Sequence, residues 1–274
     1  MAVRFFPAGP TLLLFLFTVL SLGYQTAAQV CGFAEDDCID PLAQTAVSLP
    51  FQPLFTQNIT FYYGFDAQDP DDPDQLALPE NQRMPIVKAS FWLRYAHTYL
   101  DGDDDVRENR TSELALRMGN LTGSPSGGNN GCDGVWGPPC SEQLKEALRH
   151  SIYELSVSGS YYVDPLDTVL DQLSENPPTM VSCPASVFNV GYIPVETFAQ
   201  EIEAENCIEM EDPGSSTNPW KTWYIDHVSA QEQAEQVAVG IISRAPTYGS
   251  VPLESEDDVQ VEIVCVRAPN EKGV

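Results

Sequence analysis

Apolar positions along the chain fall into three kinds of pattern. Thr11 to Leu22 (TLLLFLFTVLSL) is a continuous apolar run, with Arg4 before it and Thr26-Ala27-Ala28 after it. A basic residue, a short apolar stretch and small residues, in that order, describe a secretory signal peptide. The run falls short of the ~20 apolar residues a membrane helix needs, which disfavours a retained signal-anchor. Cleavage is expected after Ala28, so that residues 1–28 form the signal and 29–274 the secreted part.

The second pattern is alternation. Asn58 to Phe65 (NITFYYGF), rich in β-branched and aromatic residues, predicts a strand. Between Ile86 and Leu100, Val87, Ala89, Phe91, Leu93 and Tyr95 alternate with Lys88, Ser90, Trp92 and Arg94. A helical stripe through Ile86, Ser90, Leu93, His97 and Leu100 can be drawn over the same residues, and the aromatic content decides for strand. Trp223 to Val228 is a further strand. Near the end Val237, Val239 and Ile241 alternate, then Val259, Val261, Ile263 and Cys265. The polar, proline-containing connection between them predicts an antiparallel pair, adjacent or next but one.

The third pattern is helical. Leu144, Leu148, Ile152 and Leu155 line one face of a helix expected over Ser141 to Leu155, with Ser141 as its cap. A second is expected from Asp164 to Ser174, capped by Asp164 with Pro165 in its first turn. Shorter helices are expected at Thr111 to Met118 and at Pro194 to Asn206, where Phe198 and Ile202 face inward. The stretches 66–74, 101–105 and 124–130 read as loops. No repeat and no linker divides the chain. The pattern predicts one α+β domain with an antiparallel sheet that includes the C-terminal strand pair, three to four helices and disulfide staples.

Composition agrees with a folded chain: 43% hydrophobic and 10% aromatic residues rule out a disordered one. Charge narrows the partners. The net charge of −27 grows by one more when Arg4 leaves with the signal, and such a field repels nucleic acid and anionic membrane. It fits a secreted protein working in acidic surroundings, and it lets divalent cations collect on the surface.

The seven cysteines, Cys31, Cys38, Cys132, Cys140, Cys183, Cys207 and Cys265, include no CxxC pair and no Cys/His cluster at zinc spacing. In a secreted chain they read as a disulfide framework. The odd number leaves one buried and free or bonded to another chain. Gly134, Gly137, Pro138 and Pro139 bend the stretch between Cys132 and Cys140, so these two are expected to be bridged. Cys31 and Cys38 pair with each other or with distant partners. Sequons at Asn58, Asn109 and Asn120 add N-glycosylation to the expectation.

The search for chemistry is mostly negative. HExxH, GxSxG, the P-loop and GxGxxG are absent, and His97, His150 and His227 are the only histidines. Asp101, Asp103 and Asp105 have the spacing that opens a calcium loop, but Val106 stands where glycine is needed and Ser112 where a bidentate glutamate is needed. They read as an acidic loop with weakly bound calcium as the alternative. Asp104, Asp105 and Glu108 imitate a magnesium motif without the all-α scaffold that uses it. Glu146, His150 and Glu154 could hold a metal on one helix face, although a solvated stripe with local ion pairs explains them as well. Trp220, Trp223 and Tyr224 could present flat faces to a sugar, with core packing as the competing role.

The expectation is a secreted, acidic, N-glycosylated, disulfide-bonded protein that acts without catalysis in the extracellular space or cell wall. Its partner is an extracellular protein or glycan, with an interchain disulfide open to the odd cysteine, and no cofactor beyond weakly held calcium. A carboxylate-dependent hydrolase acting on carbohydrate and a calcium-dependent binding module are the alternatives.

Overall fold

Alternation of β-branched and aromatic residues builds most of the strands among the described residues, and leucine stripes build the two long helices that cover one sheet. A computed structural model describes residues 42–52, 55, 58–68, 73–79, 82–83, 86–95, 110–117, 121–157, 164–184, 195–198, 221–246 and 253–268. The strands are β1 (Ala43–Leu49), β2 (Ile59–Gln68), β3 (Ile86–Arg94), β4 (Arg110–Arg117), β5 (Val195–Phe198), β6 (Lys221–Asp226), β7 (Ala238–Pro246) and β8 (Gln260–Val266). The helices are α1 (Pro73–Leu76), α2 (Asp133–Trp136), α3 (Pro138–Val157), α4 (Pro165–Glu175) and α5 (Ala230–Glu235).

The strands form two four-stranded antiparallel sheets, ordered β1-β2-β3-β6 and β5-β4-β7-β8. The chain enters the second sheet with β4, returns to the first for β6 and ends in the second, so neither sheet is a separable unit. The expected C-terminal pair is present: Ile241 opposes Ile263 and Val239 opposes Cys265. It belongs to one of two sheets rather than to a single one.

Odd-numbered residues of β2 and β3, from Ile59 to Phe65 and from Val87 to Leu93, meet Leu114, Leu116, Ala238, Ile242, Val264 and Val266 of the second sheet. The other face of that second sheet, with Ala115, Val239, Ile241, Val261 and Ile263, packs on Leu144, Leu148 and Ile152 of α3 and Leu166, Val169, Leu170 and Leu173 of α4. The layers are therefore sheet, sheet and helices. The middle layer is covered on both sides, and for that reason all nine residues of β7 are buried. A strand buried on both faces loses the polar half of its alternation.

Two expected helices are strands. Thr111 to Met118 has the Leu, Ala and Glu content of a helix, yet residues 110–117 form β4, hydrogen-bonded between β5 and β7. Sandwiching between two layers rewards burial of both faces, which outweighs helix propensity of a few tenths of a kcal/mol per residue. Val195–Phe198 is β5 and not the start of a helix; residues 199–206 lie outside the described ones. The helix placed at Ser141 starts at Pro138, and Ser141 is buried within it, its hydroxyl donating to the Gly137 carbonyl. Pro138 suits the first turn because its missing N–H has no helical partner there.

Candidate binding cleft

Where the two sheets end side by side, edge strands β1 and β8 leave a cleft of about 750 Å³ between them. Thr45, Val47 and Ser48 of β1 form one wall, and Cys265, Val266 and Arg267 form the other. Residues 124–131 (SPSGGNNG) close one side, contributing Ser124, Pro125, Asn129 and Asn130 among others. Thr45 and Val47 point toward the inter-sheet core while Ser48 points away from it, so the cleft wraps around the edge of β1. Its size lies within the roughly 300–1,000 Å³ typical of ligand sites.

The glycine-rich wall is built, not slack. The Ser126 N–H donates to the Gly131 carbonyl and the Gly134 N–H to the Ser126 carbonyl, each at 2.8 Å. A Cβ at Gly134 would sit 2.3 Å from the Ser124 carbonyl oxygen, and one at Gly131 2.8 Å from that of Cys265. Glycine is needed at both. Asn129 and Asn130 hold positive φ values of 49° and 52°, a region that costs a non-glycine residue roughly 1–2 kcal/mol. Their side-chain amides offset part of that cost. Asn129 donates to Asp133 (2.9 Å) and Glu142 (2.8 Å), and Asn130 to the Ile263 carbonyl (2.8 Å) and Glu262 (3.2 Å). Lys145 closes the network on Glu262 at 3.2 Å. Strain of this kind, held in place by surrounding bonds, gathers at ligand sites more often than elsewhere.

A disulfide fixes the same wall to β8. Cys132 is bonded to Cys265, and Cys140 to Cys183. The expected Cys132–Cys140 bridge is thus wrong. Gly137 and the two prolines turn the chain into α3, whose first turn carries Cys140 away toward residues 180–183, while Cys132 lies on the helix-facing side of β8. Cys31, Cys38 and Cys207 lie outside the described residues.

The remaining sequence candidates are dispersed. Asp101, Asp103, Asp105, Asn109, Asn120 and Trp220, with the signal region 1–28, lie outside the described residues. Asn58 is exposed just before β2, and the hydroxyl of Thr60 in its sequon meets that of Ser48 at the cleft rim, 2.8 Å away. His150 stands 3.1 Å from Glu256, not between Glu146 and Glu154, and no metal-holding cluster of acidic, histidine or cysteine side chains occurs among the described residues. Trp223 packs edge-on against Phe91 within the core, while Tyr224 on the opposite face is half exposed, beneath the Lys88 ammonium. The two cannot form one sugar platform. No helix of the described residues is long and apolar enough to cross a membrane.

One carboxylate has the perturbed acidity of a catalytic group. Glu113 is fully buried, and burial pushes its pKa up to about 7 against two backbone hydrogen bonds that pull it down. Those bonds come from Leu166 (2.8 Å) and Asp167 (3.3 Å), so Glu113 of β4 supplies the N-terminal cap that Asp164 was expected to give. Enclosed beneath α4, it has a structural task and no access to a substrate. Among the described residues, the cleft is lined by no carboxylate, histidine or free thiol, and Arg267 is its one charged residue.

Periodicity missed the cleft because its walls come from residues more than 200 positions apart and from a stretch that reads as plain loop. The available signal was Gly127-Gly128-Asn129-Asn130-Gly131 directly before a cysteine, the residue types that accept left-handed backbone. Comparison of the chain with protein-family models, with curated proteins and with solved structures finds no match.

Proposed function

We propose that the chain is a secreted, acidic, N-glycosylated protein that acts by binding in the extracellular space or cell wall and not by catalysis. The observation that carries this reading is the cleft at the β1 and β8 edges, rigid along one wall, whose described lining is hydroxyls, amides, glycines and aliphatic side chains with Arg267. Two disulfides suit an oxidising compartment. The apolar stretch at 11–22 and the sequons at Asn58, Asn109 and Asn120 supply the route and the glycans. Calcium associates weakly with acidic stretches such as Asp101, Asp103 and Asp105 and is no part of the cleft.

The test is expression through a eukaryotic secretory pathway. The product is expected in the medium, beginning at Gln29 and losing mass on treatment with peptide N-glycosidase. It should turn over none of a panel of oligosaccharide, peptide and ester substrates. Turnover that copurifies with the protein through two orthogonal columns and scales with its amount would overturn the non-catalytic reading.

A further inference from the structure

The cleft invites a narrower statement about what enters it. β1 (AQTAVSL) lies at the edge of its sheet and, among the described residues, pairs only with β2, in an unbroken register from Ala43↔Phe65 to Leu49↔Ile59. Proteins normally protect such an edge with charge, proline or a bulge. β1 has none of the three. The neighbouring edge differs. β8 carries Glu262, which Lys145 and Asn130 engage, and the turn at 129–131 packs along the strand. Among the described residues, one edge is covered and the other is left open beside a cleft.

We propose, building on the binding reading above, that the β1 edge accepts an extended polypeptide segment of another protein as a fifth strand of its sheet. Backbone hydrogen bonds to β1 would supply the affinity, and alternate side chains would enter the cleft between β1 and β8. Thr45, Val47 and Val266 leave room for small or β-branched side chains at those positions, and the lining among the described residues has no aromatic face on which a sugar ring could stack. Charge selects among occupants. The net charge of −27 opposes a second copy of the chain and any acidic segment, and Arg267 at the rim adds a local bar only to cationic groups inside the cleft. The segment is therefore free of acidic residues, uncharged where it enters and basic in its flanks.

Selection of a displayed random-peptide library on the full secreted chain tests this. Acid-poor, β-prone sequences are expected to be enriched. Thr45→Arg, which fills the cleft, should weaken an enriched synthetic peptide by about tenfold or more, the loss expected at a central contact. Gln44→Arg, exposed on the opposite face of the same strand, should leave it unchanged. If Thr45→Arg does not fold, Arg267→Glu on the far wall replaces it and should admit basic side chains into the cleft while sharpening selectivity against acidic flanks. Peptides that bind wild type and Thr45→Arg equally would overturn the proposal. A neutral-glycan array read in parallel separates the two readings. Glycan binding lost in Thr45→Arg, without peptide binding, keeps the cleft and removes the strand, whereas probes indifferent to Thr45→Arg remove both. A dimer in sedimentation that Thr45→Arg dissociates would assign the edge to a second copy instead.

Discussion

The second sheet is shared by two cores of opposite character. Against the first sheet it meets rings: Phe61, Tyr63, Phe65, Phe91 and Trp223 contact one another at centroid separations of 5.1 to 6.4 Å, and no disulfide crosses this interface among the described residues. Against α3 and α4 it meets leucine, valine and isoleucine, two disulfides, and the buried ionisable groups Glu113 and Arg117. Each aromatic side chain buries roughly 150–250 Å², so the first core is held by area. The helix-side core encloses charge as well as apolar side chains. Both disulfides of the described residues lie on that side.

Breaking each side should expose that difference. The Cys132–Cys265 bridge closes a loop with a sequence separation of 133, for which chain entropy predicts about 5 kcal/mol. Cys132→Ala/Cys265→Ala should lose that order of stability in denaturant titration and free the 124–131 wall to faster amide exchange. The aromatic sheet interface should keep its protection. Phe91→Ala, at the centre of the ring cluster, should cost about 3–5 kcal/mol by leaving a cavity, with both disulfides intact. If its exchange pattern loosens the helix layer first, the two cores open as one unit.

The same contrast explains what the sequence could reveal. β2, β3, β6, α3 and α4 were legible because each has one face in a core, so period 2 or period 3.6 survives in the residues. β4 was not. Leu114 and Leu116 face one core while Glu113, Ala115 and Arg117 face the other, and the side chains that would mark a solvent face are buried. β1 was missed for the opposite reason: half of it lines the cleft, and Thr45 and Ser48 dilute the alternation. The cysteine pairing was illegible because chain turns argue only for local bridges, whereas Cys132 and Cys265 meet through the stacking of layers.

The next largest effect concerns pH. Burial above all, with a smaller push from Asp164 and Asp167 at the start of α4, favours the protonated form of Glu113, while the Leu166 and Asp167 amides favour the ionised one. The net shift is upward, from 4.5 to about 7. The folded state therefore holds this proton more tightly than the unfolded chain. The stability it contributes is fully present below about pH 4.5 and is lost as pH rises through 7, by up to about 3 kcal/mol at 1.36 kcal/mol per unit. Other carboxylates titrate in the same range, so the informative quantity is the difference between wild type and Glu113→Gln. That difference should favour Glu113→Gln above pH 7 and vanish near pH 4.5. A difference independent of pH would place the proton elsewhere.

The smallest prediction concerns Arg117, four residues along β4 on the same face. The residue is 5% exposed, and its Nε and Nη1 have no hydrogen-bond partner among the described residues. Burial lowers its pKa. An enclosed guanidinium without a counter-charge among the described residues costs more in lost hydration than it returns in contacts, and its stem packs well. Methionine keeps that stem and removes the charge. Arg117→Met should therefore raise the unfolding free energy by about 1 kcal/mol, a thermal shift of roughly 2–4 °C for a chain of this size. Scanning calorimetry with the disulfides intact measures it. A decrease instead would mean that Arg117 engages a group that the helix-side core supplies only in solution. The charge would then belong to the architecture of that core and not to its cost.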